Sequence, residues 1–169
     1  MTTRRSTTIA VLLTAALGLA ACGSDDEPSF SETTLKFTER ETDSFGFTDA
    51  PPKTEMSGEG PSEFSSGDQL TFSSDLLDGS GKDIGDLDVA CTVTRPGRFQ
   101  DSHENCQATA TLPDGTLALS RGGHVFGESD ARGAVLGGTA GYAGATGAFS
   151  ESEESEGRTA YTIELLLPE

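Results

Sequence analysis

Apolar and polar residues alternate over most of this chain, but only after a different opening. A largely apolar run, Ile9 to Ala21, follows Arg4 and Arg5. Residues 22–33 are then polar and acidic and read as a disordered tether. Leu35 and Phe37 alternate with Lys36 and Thr38 as a first strand, and the Pro-, Gly- and acid-rich stretch of about 41–66 predicts a long loop. From Gly67 onward the period is two. Leu70, Phe72 and Leu76 share a face. Leu87, Val89, Cys91 and Val93 alternate with Asp88, Ala90, Thr92 and Thr94, as Cys106, Ala108, Ala110 and Leu112 do with Gln107, Thr109 and Thr111. Leu117 and Leu119 follow, Val135 and Phe149 flank a glycine-rich stretch, and Tyr161, Ile163, Leu165 and Leu167 end the chain. No stretch after the opening run has the length and 3.6-residue period of a helix. This spacing predicts an all-β sandwich or barrel of about eight strands.

Register can be pushed further. Asp114-Gly115 between apolar runs is a strong hairpin signal. Centred there, a two-residue turn sets Leu112 against Leu117 and Ala110 against Leu119. If Cys91 opposes Cys106, Val89 meets Ala108 and Leu87 meets Ala110, so one face stays apolar along both strands. Directly opposed residues lie within reach of a disulfide, and export would permit oxidation. The alternatives are poorer. Cys-x14-Cys lacks zinc-ligand spacing. A nucleophilic pair of Cys106 with His103 needs a thiol kept reduced outside the cell, and His103 reads as part of a solvated loop.

The opening run has thirteen residues. As a helix it rises about 20 Å, short of the roughly 30 Å hydrocarbon core of a membrane. With its basic start it reads as a secretory signal peptide over residues 1–21. Its end, Leu19-Ala20-Ala21-Cys22, resembles the lipobox of bacterial lipoproteins. That resemblance implies cleavage before Cys22 and a diacylglycerol on its sulfur, anchoring an exported protein to the outer face of a bacterial membrane. The alternative is an ordinary signal whose cleavage site happens to end in Cys. The expected organisation is signal 1–21, tether 22–33 and barrel domain 34–168.

The whole chain carries 11 basic and 28 acidic residues, a net charge of −17. Losing residues 1–21 removes two basic residues and no acidic ones, which leaves nine against 28, or −19. Such a chain repels phosphate backbones, which excludes nucleic acid as a partner. The charge suits solubility in an exposed place, with a cation-collecting surface as the sharper alternative.

Residues 134–147 read Ala-Val-Leu-Gly-Gly-Thr-Ala-Gly-Tyr-Ala-Gly-Ala-Thr-Gly. This is no phosphate loop, because no Gly-Lys-Ser/Thr ending or helix pattern follows. It resembles the Gly-Gly-Thr-Gly-x-Tyr/Phe-x-x-Ala-x-Gly segment of the allene oxide cyclase and dirigent superfamily. Gly137, Gly138, Thr139, Gly141, Tyr142 and Gly147 follow that segment, whereas Ala140 stands where the family has Gly. Gly67-Asp68 before a strand, the Cys-Thr-Val-Thr run and Leu112-Pro-Asp-Gly extend the resemblance over about residues 66–167. It implies an eight-stranded antiparallel barrel whose interior is filled or holds one small ligand. The glycine segment carries over fold rather than activity, and no cavity residue of either branch is matched here.

Chemistry is harder to read. Tyr142 could line a cavity mouth but fits better as packing with a wet hydroxyl. Asp88 should face away from the apolar side of its strand. The run Glu151, Glu153, Glu154 and Glu156 reads as a solvated edge, because it lacks calcium-loop spacing. His124 has no charged neighbour in sequence. No catalytic triad, glycosidase pair, metal site or cofactor motif is visible. The preferred expectation is a surface-anchored lipoprotein whose barrel binds or displays a small apolar ligand or protein partner without catalysis. The alternatives are an isomerase, cyclase or dirigent activity in the cavity, and a solid structural barrel. An enclosed pocket above roughly 300 Å³ with convergent polar groups separates the first two from the third.

Overall fold

The computed structural model describes residues 29–169, apart from 52–55, 58–59, 99–100, 125–130 and 156. The expected signal segment, Cys22 and most of the expected tether lie outside the described residues.

The strands form where period-two alternation predicts them. They are β1 (Phe30–Glu41), β2 (Gln69–Leu77), β3 (Asp83–Arg95), β4 (His103–Leu112), β5 (Gly115–His124), β6 (Arg132–Gly138), β7 (Thr146–Ser155) and β8 (Arg158–Pro168). All neighbours pair antiparallel. β2 through β8 follow one another round the sheet, β8 pairs with β1, and β1 pairs with β2 through Thr38–Glu41 against Ser74–Leu77. That last contact closes an eight-stranded barrel, which removes exposed sheet edges from the ring. Strand β1 begins at Phe30, inside the span expected to be tether. Residues 30–32 are exposed, Phe30 included, and show no alternation, but their backbone is held by pairing with Leu166–Pro168.

The inward faces carry the predicted apolar sets. Leu76, Leu87, Ala110, Leu117, Ile163 and Leu165 are fully buried and pack one end of the barrel solid. Cys91 opposes Cys106 and the two are joined in a disulfide, with Val89 against Ala108 and Leu87 against Ala110 as the register required. The bond, over a separation of fifteen residues, contributes about 3 kcal/mol.

The hairpin between β4 and β5 corrects the predicted register. Leu112 opposes Gly115 and Leu117 opposes Ala110, so the turn is centred on Pro113-Asp114. Pro113 presets the φ that a first turn position needs. Gly115 belongs to the strand, where a side chain would lie 2.2 Å from the Thr139 carbonyl oxygen. The error moves each partner by two residues, so every side chain keeps its face.

The glycine segment closes the packed end. Gly137 and Gly138 finish β6, and the Thr139 hydroxyl accepts a hydrogen bond from the Thr116 backbone N–H at 3.1 Å. Ala140, Gly141 and Tyr142 form a single 3-10 turn, and Gly147 sits in β7. Ala140, the departure from the family segment, takes φ +50°, a conformation that costs a residue other than glycine about 1 kcal/mol or more.

The long loop is organised where it is described. Gly46–Thr48 pairs with the start of β2, and Glu63–Phe64 pairs with Gly97–Arg98. Buried Asp68 accepts hydrogen bonds from the backbone N–H of Ala50 at 2.8 Å and of Ser65 at 2.7 Å, which ties the interior of the loop and its far end to one carboxylate.

Candidate functional site

The barrel is apolar at one end and polar at the other, and the change happens along the same inward faces. On β1 the inward series Leu35, Phe37 continues to Glu39. On β5 Leu117, Leu119 continues to Arg121, and on β7 Phe149 continues to Glu151. On β4 Glu104 precedes Cys106, and on β8 Tyr161 precedes Ile163. Antiparallel closure brings these strand ends to one side of the barrel.

They surround a cavity of about 360 Å³ lined by Glu39, Glu41, Leu70, Phe72, Ser74, Cys91, Glu104, Arg121, Glu151, Thr159 and Tyr161, with Thr42 and exposed Phe45 at its rim. A narrow recess of about 30 Å³ runs deeper past Leu87, Val89, Ala108 and Leu119. The interior is therefore hollow at this end.

Arg121 is the hub. Its Nη2 lies 3.7 Å from Glu104 Oε1 and its Nε lies 3.4 Å from Glu151 Oε1. These are ion-pair distances rather than short hydrogen bonds, so its donor fork is not saturated. Tyr161, stacked on Phe37 with ring centres 5.4 Å apart, donates a hydrogen bond to Glu39 Oε2 at 3.1 Å.

Burial sets the titration of the group. Desolvation raises the Glu39 carboxyl above the ordinary glutamate range, against the lowering effect of the nearby Ser74 and Tyr161 hydroxyls. It raises Glu104 and Glu151 as well, against the pull of the Arg121 guanidinium. Desolvation, then the carboxylates of Glu39 and Glu151, pushes the Tyr161 phenol well above its ordinary value. Tyr161 therefore remains a proton-bearing donor at neutral pH. The cavity holds carboxyls poised to exchange protons closer to neutrality than a solvated glutamate would.

Glu151 is a correction. The expected solvated edge holds for exposed Glu153 and Glu154, but Glu151 points inward beside Arg121; Glu156 lies outside the described residues. His103 is a second correction, because it begins β4 rather than occupying a loop and its ring packs at a tilt against His124, with centres 4.1 Å apart. Asp88 faces outward and accepts a hydrogen bond from the Ser73 hydroxyl at 2.5 Å. Tyr142 is buried against the packed end and does not line the cavity. Cys91, Cys106 and Glu104 have side-chain ligand atoms within 4.8 Å of one another, but both sulfurs are used in the disulfide and offer no thiolate. Sequence reasoning misses Glu39, Glu104, Arg121 and Tyr161. The usable signal is a charged residue in phase with a strand's apolar face.

No protein-family model matches this chain, and no curated protein matches it. Solved structures do. A pyocyanin demethylase is 22% identical, with 79% of this chain and 99% of that chain covered at a TM-score of 0.62. The pterocarpan synthase dirigent protein GePTS1 is 16% identical over 83% and 87%, at 0.64. The Diels-Alderase AbmU from Streptomyces koyangensis is 21% identical over 82% and 64%, at 0.58. The likeness shows the fold: a closed antiparallel barrel of the dirigent and cyclase-like kind.

Proposed function

We propose that this barrel binds a small, largely apolar molecule in its open end and turns it over by proton transfer, as a cyclase or isomerase does. The observation that carries the reading is the convergence of three carboxyls in one cavity, with Glu104 and Glu151 in ion-pair reach of Arg121 and Glu39 held by the Tyr161 hydroxyl. A solid structural barrel would have no use for that arrangement, which costs stability. One cavity carboxyl in its protonated form donates to an oxygen or conjugated carbon of the ligand while an ionised neighbour takes a proton from carbon. The atoms rearrange with no net gain or loss of protons or electrons, and the walls decide which face reacts. The fold is shared with a pyocyanin demethylase, a pterocarpan synthase dirigent protein and a Diels-Alderase, which supports action on a small molecule.

The test uses the purified chain with the uncharged methyl ester of an unsaturated fatty-acid epoxide and with a phenolic radical coupling pair. One enantiomer should be enriched over a heat-denatured control, and Glu39→Gln with Glu151→Gln should abolish the enrichment without unfolding the barrel. Racemic product at the uncatalysed rate with both substrates overturns the catalytic reading and leaves non-catalytic binding.

In the same proposal the barrel stands outside the cell, tethered by lipid on Cys22. Its support is the Leu19-Ala20-Ala21-Cys22 sequence and the polar stretch after it. Cys22→Ala should release the protein from the membrane fraction or block its processing. A processed variant that still sediments with membranes would rule the anchor out.

A further inference from the structure

We infer that the cavity selects an organic cation: a flat apolar molecule bearing one positive charge and an N–H group. This rests on the cavity being the functional site and narrows what it accepts. Among the described lining residues four carboxyls, Glu39, Glu41, Glu104 and Glu151, face a single basic side chain, Arg121. Arg121 is already shared between Glu104 and Glu151. Glu39, 5% exposed, is left with neutral hydroxyls, those of Tyr161 and Ser74, as its partners. A buried carboxylate with no cation beside it is costly, and a cationic ligand removes that cost while an anionic one multiplies it.

An independent observation points to a ligand at the same place. The Ser74 hydroxyl is 2% exposed and lines the cavity. Toward Glu39 it can act only as a donor, lowering that carboxyl, and no donor of the protein meets its oxygen at hydrogen-bond geometry. Buried hydroxyls are rarely left so, and this one stands free to accept the ligand's N–H. The aromatic ring of Phe72 lines the same wall, and a cation lying over it would be favoured over a flat neutral molecule of equal shape.

Three probes of nearly equal shape test the inference on the purified full chain at neutral pH: 4-aminoquinoline, which is protonated there, 1-aminonaphthalene, which is neutral, and 1-naphthoate, an anion. The cation should bind at least about tenfold more tightly than its neutral counterpart, with the anion weakest. Glu39→Gln should reduce that preference to about twofold by weakening the cation while leaving 1-aminonaphthalene unchanged, and Ser74→Ala should weaken both amines alike. Should Glu39→Gln not fold, Glu151→Gln must show the same selective loss. If the neutral amine binds as tightly as the cation, or the preference survives the carboxyl substitutions, the cation inference fails and the cavity reading stands. If none of the three binds, both fail.

Discussion

Arg121→Met should cost the barrel about 3 kcal/mol at neutral pH, and visibly less near pH 5. Methionine keeps the length and the apolar stem, so the loss is chiefly the charge. Arg121 stands within ion-pair distance of Glu104 and Glu151, which are 5% and 14% exposed by side chain, while Arg121 itself is 21% exposed. Removing one member of such a set strands the others, and residual solvent contact keeps the cost at the lower end of the known range.

The pH dependence follows from the direction of the shifts. Glu39, Glu104 and Glu151 have folded-state values above the ordinary 4.5. Between that value and each raised one, the folded state binds more protons than the unfolded state. Stability from these groups therefore falls as pH rises through the window and returns as pH falls through it. Without the guanidinium, which lowers all three, the window widens upward. Urea unfolding at about pH 7 and about pH 5 should show the variant closing on its parent at the lower pH, because burial rather than charge then dominates. Adding Glu104→Gln and Glu151→Gln to Arg121→Met should restore most of the loss at neutral pH. An equal loss at both pH values, or no rescue, would mean that Arg121 matters only through its packing.

Gly147→Ala should be at least as damaging, at about 4 kcal/mol from backbone strain and overpacking together. Gly147 sits in β7 opposite Leu165 with φ +155°, and a Cβ there would lie 1.9 Å from the Glu164 carbonyl oxygen of β8. That atom is backbone in a paired strand and cannot swing aside as a flexible side chain would. The strands would have to separate at the point where β7 holds the ring closed. Gly79→Ala is the matched control, since a Cβ at Gly79 meets nothing within 4 Å, and it should change stability by less than about 0.5 kcal/mol. Thermal unfolding of the two variants side by side decides the matter; equal melting temperatures would show that the corner tolerates a side chain.

Much of the barrel is legible in the amino-acid sequence. Alternation locates six of the eight barrel strands, because a half-buried strand can bury one side only by placing apolar residues at every second position, while β6 and β7 show only Val135 and Phe149 beside the glycine-rich stretch. Cys91 and Cys106 are legible as a pair because opposing them keeps both strands' apolar faces together, and they are joined. The hairpin register is legible only modulo two, since a two-residue slip leaves the faces unchanged. Glu151 is easily misread because four nearby acids look like a solvated edge, although the residue lies in phase with Phe149.

The division has a physical cause. By itself the sequence determined which residues share a face of each strand: Leu35 with Phe37 and Glu39, Leu117 with Leu119 and Arg121, Phe149 with Glu151. It did not determine where those faces meet. Glu39, Glu104, Arg121, Glu151 and Tyr161 lie on five strands, and no local period relates them. Only ring closure, with β1 paired to both β8 and β2, brings their strand ends to one mouth. Whether the space between them is filled or hollow depends on side chains from all sides at once, so the cavity and its excess of carboxyls exist only in the tertiary structure.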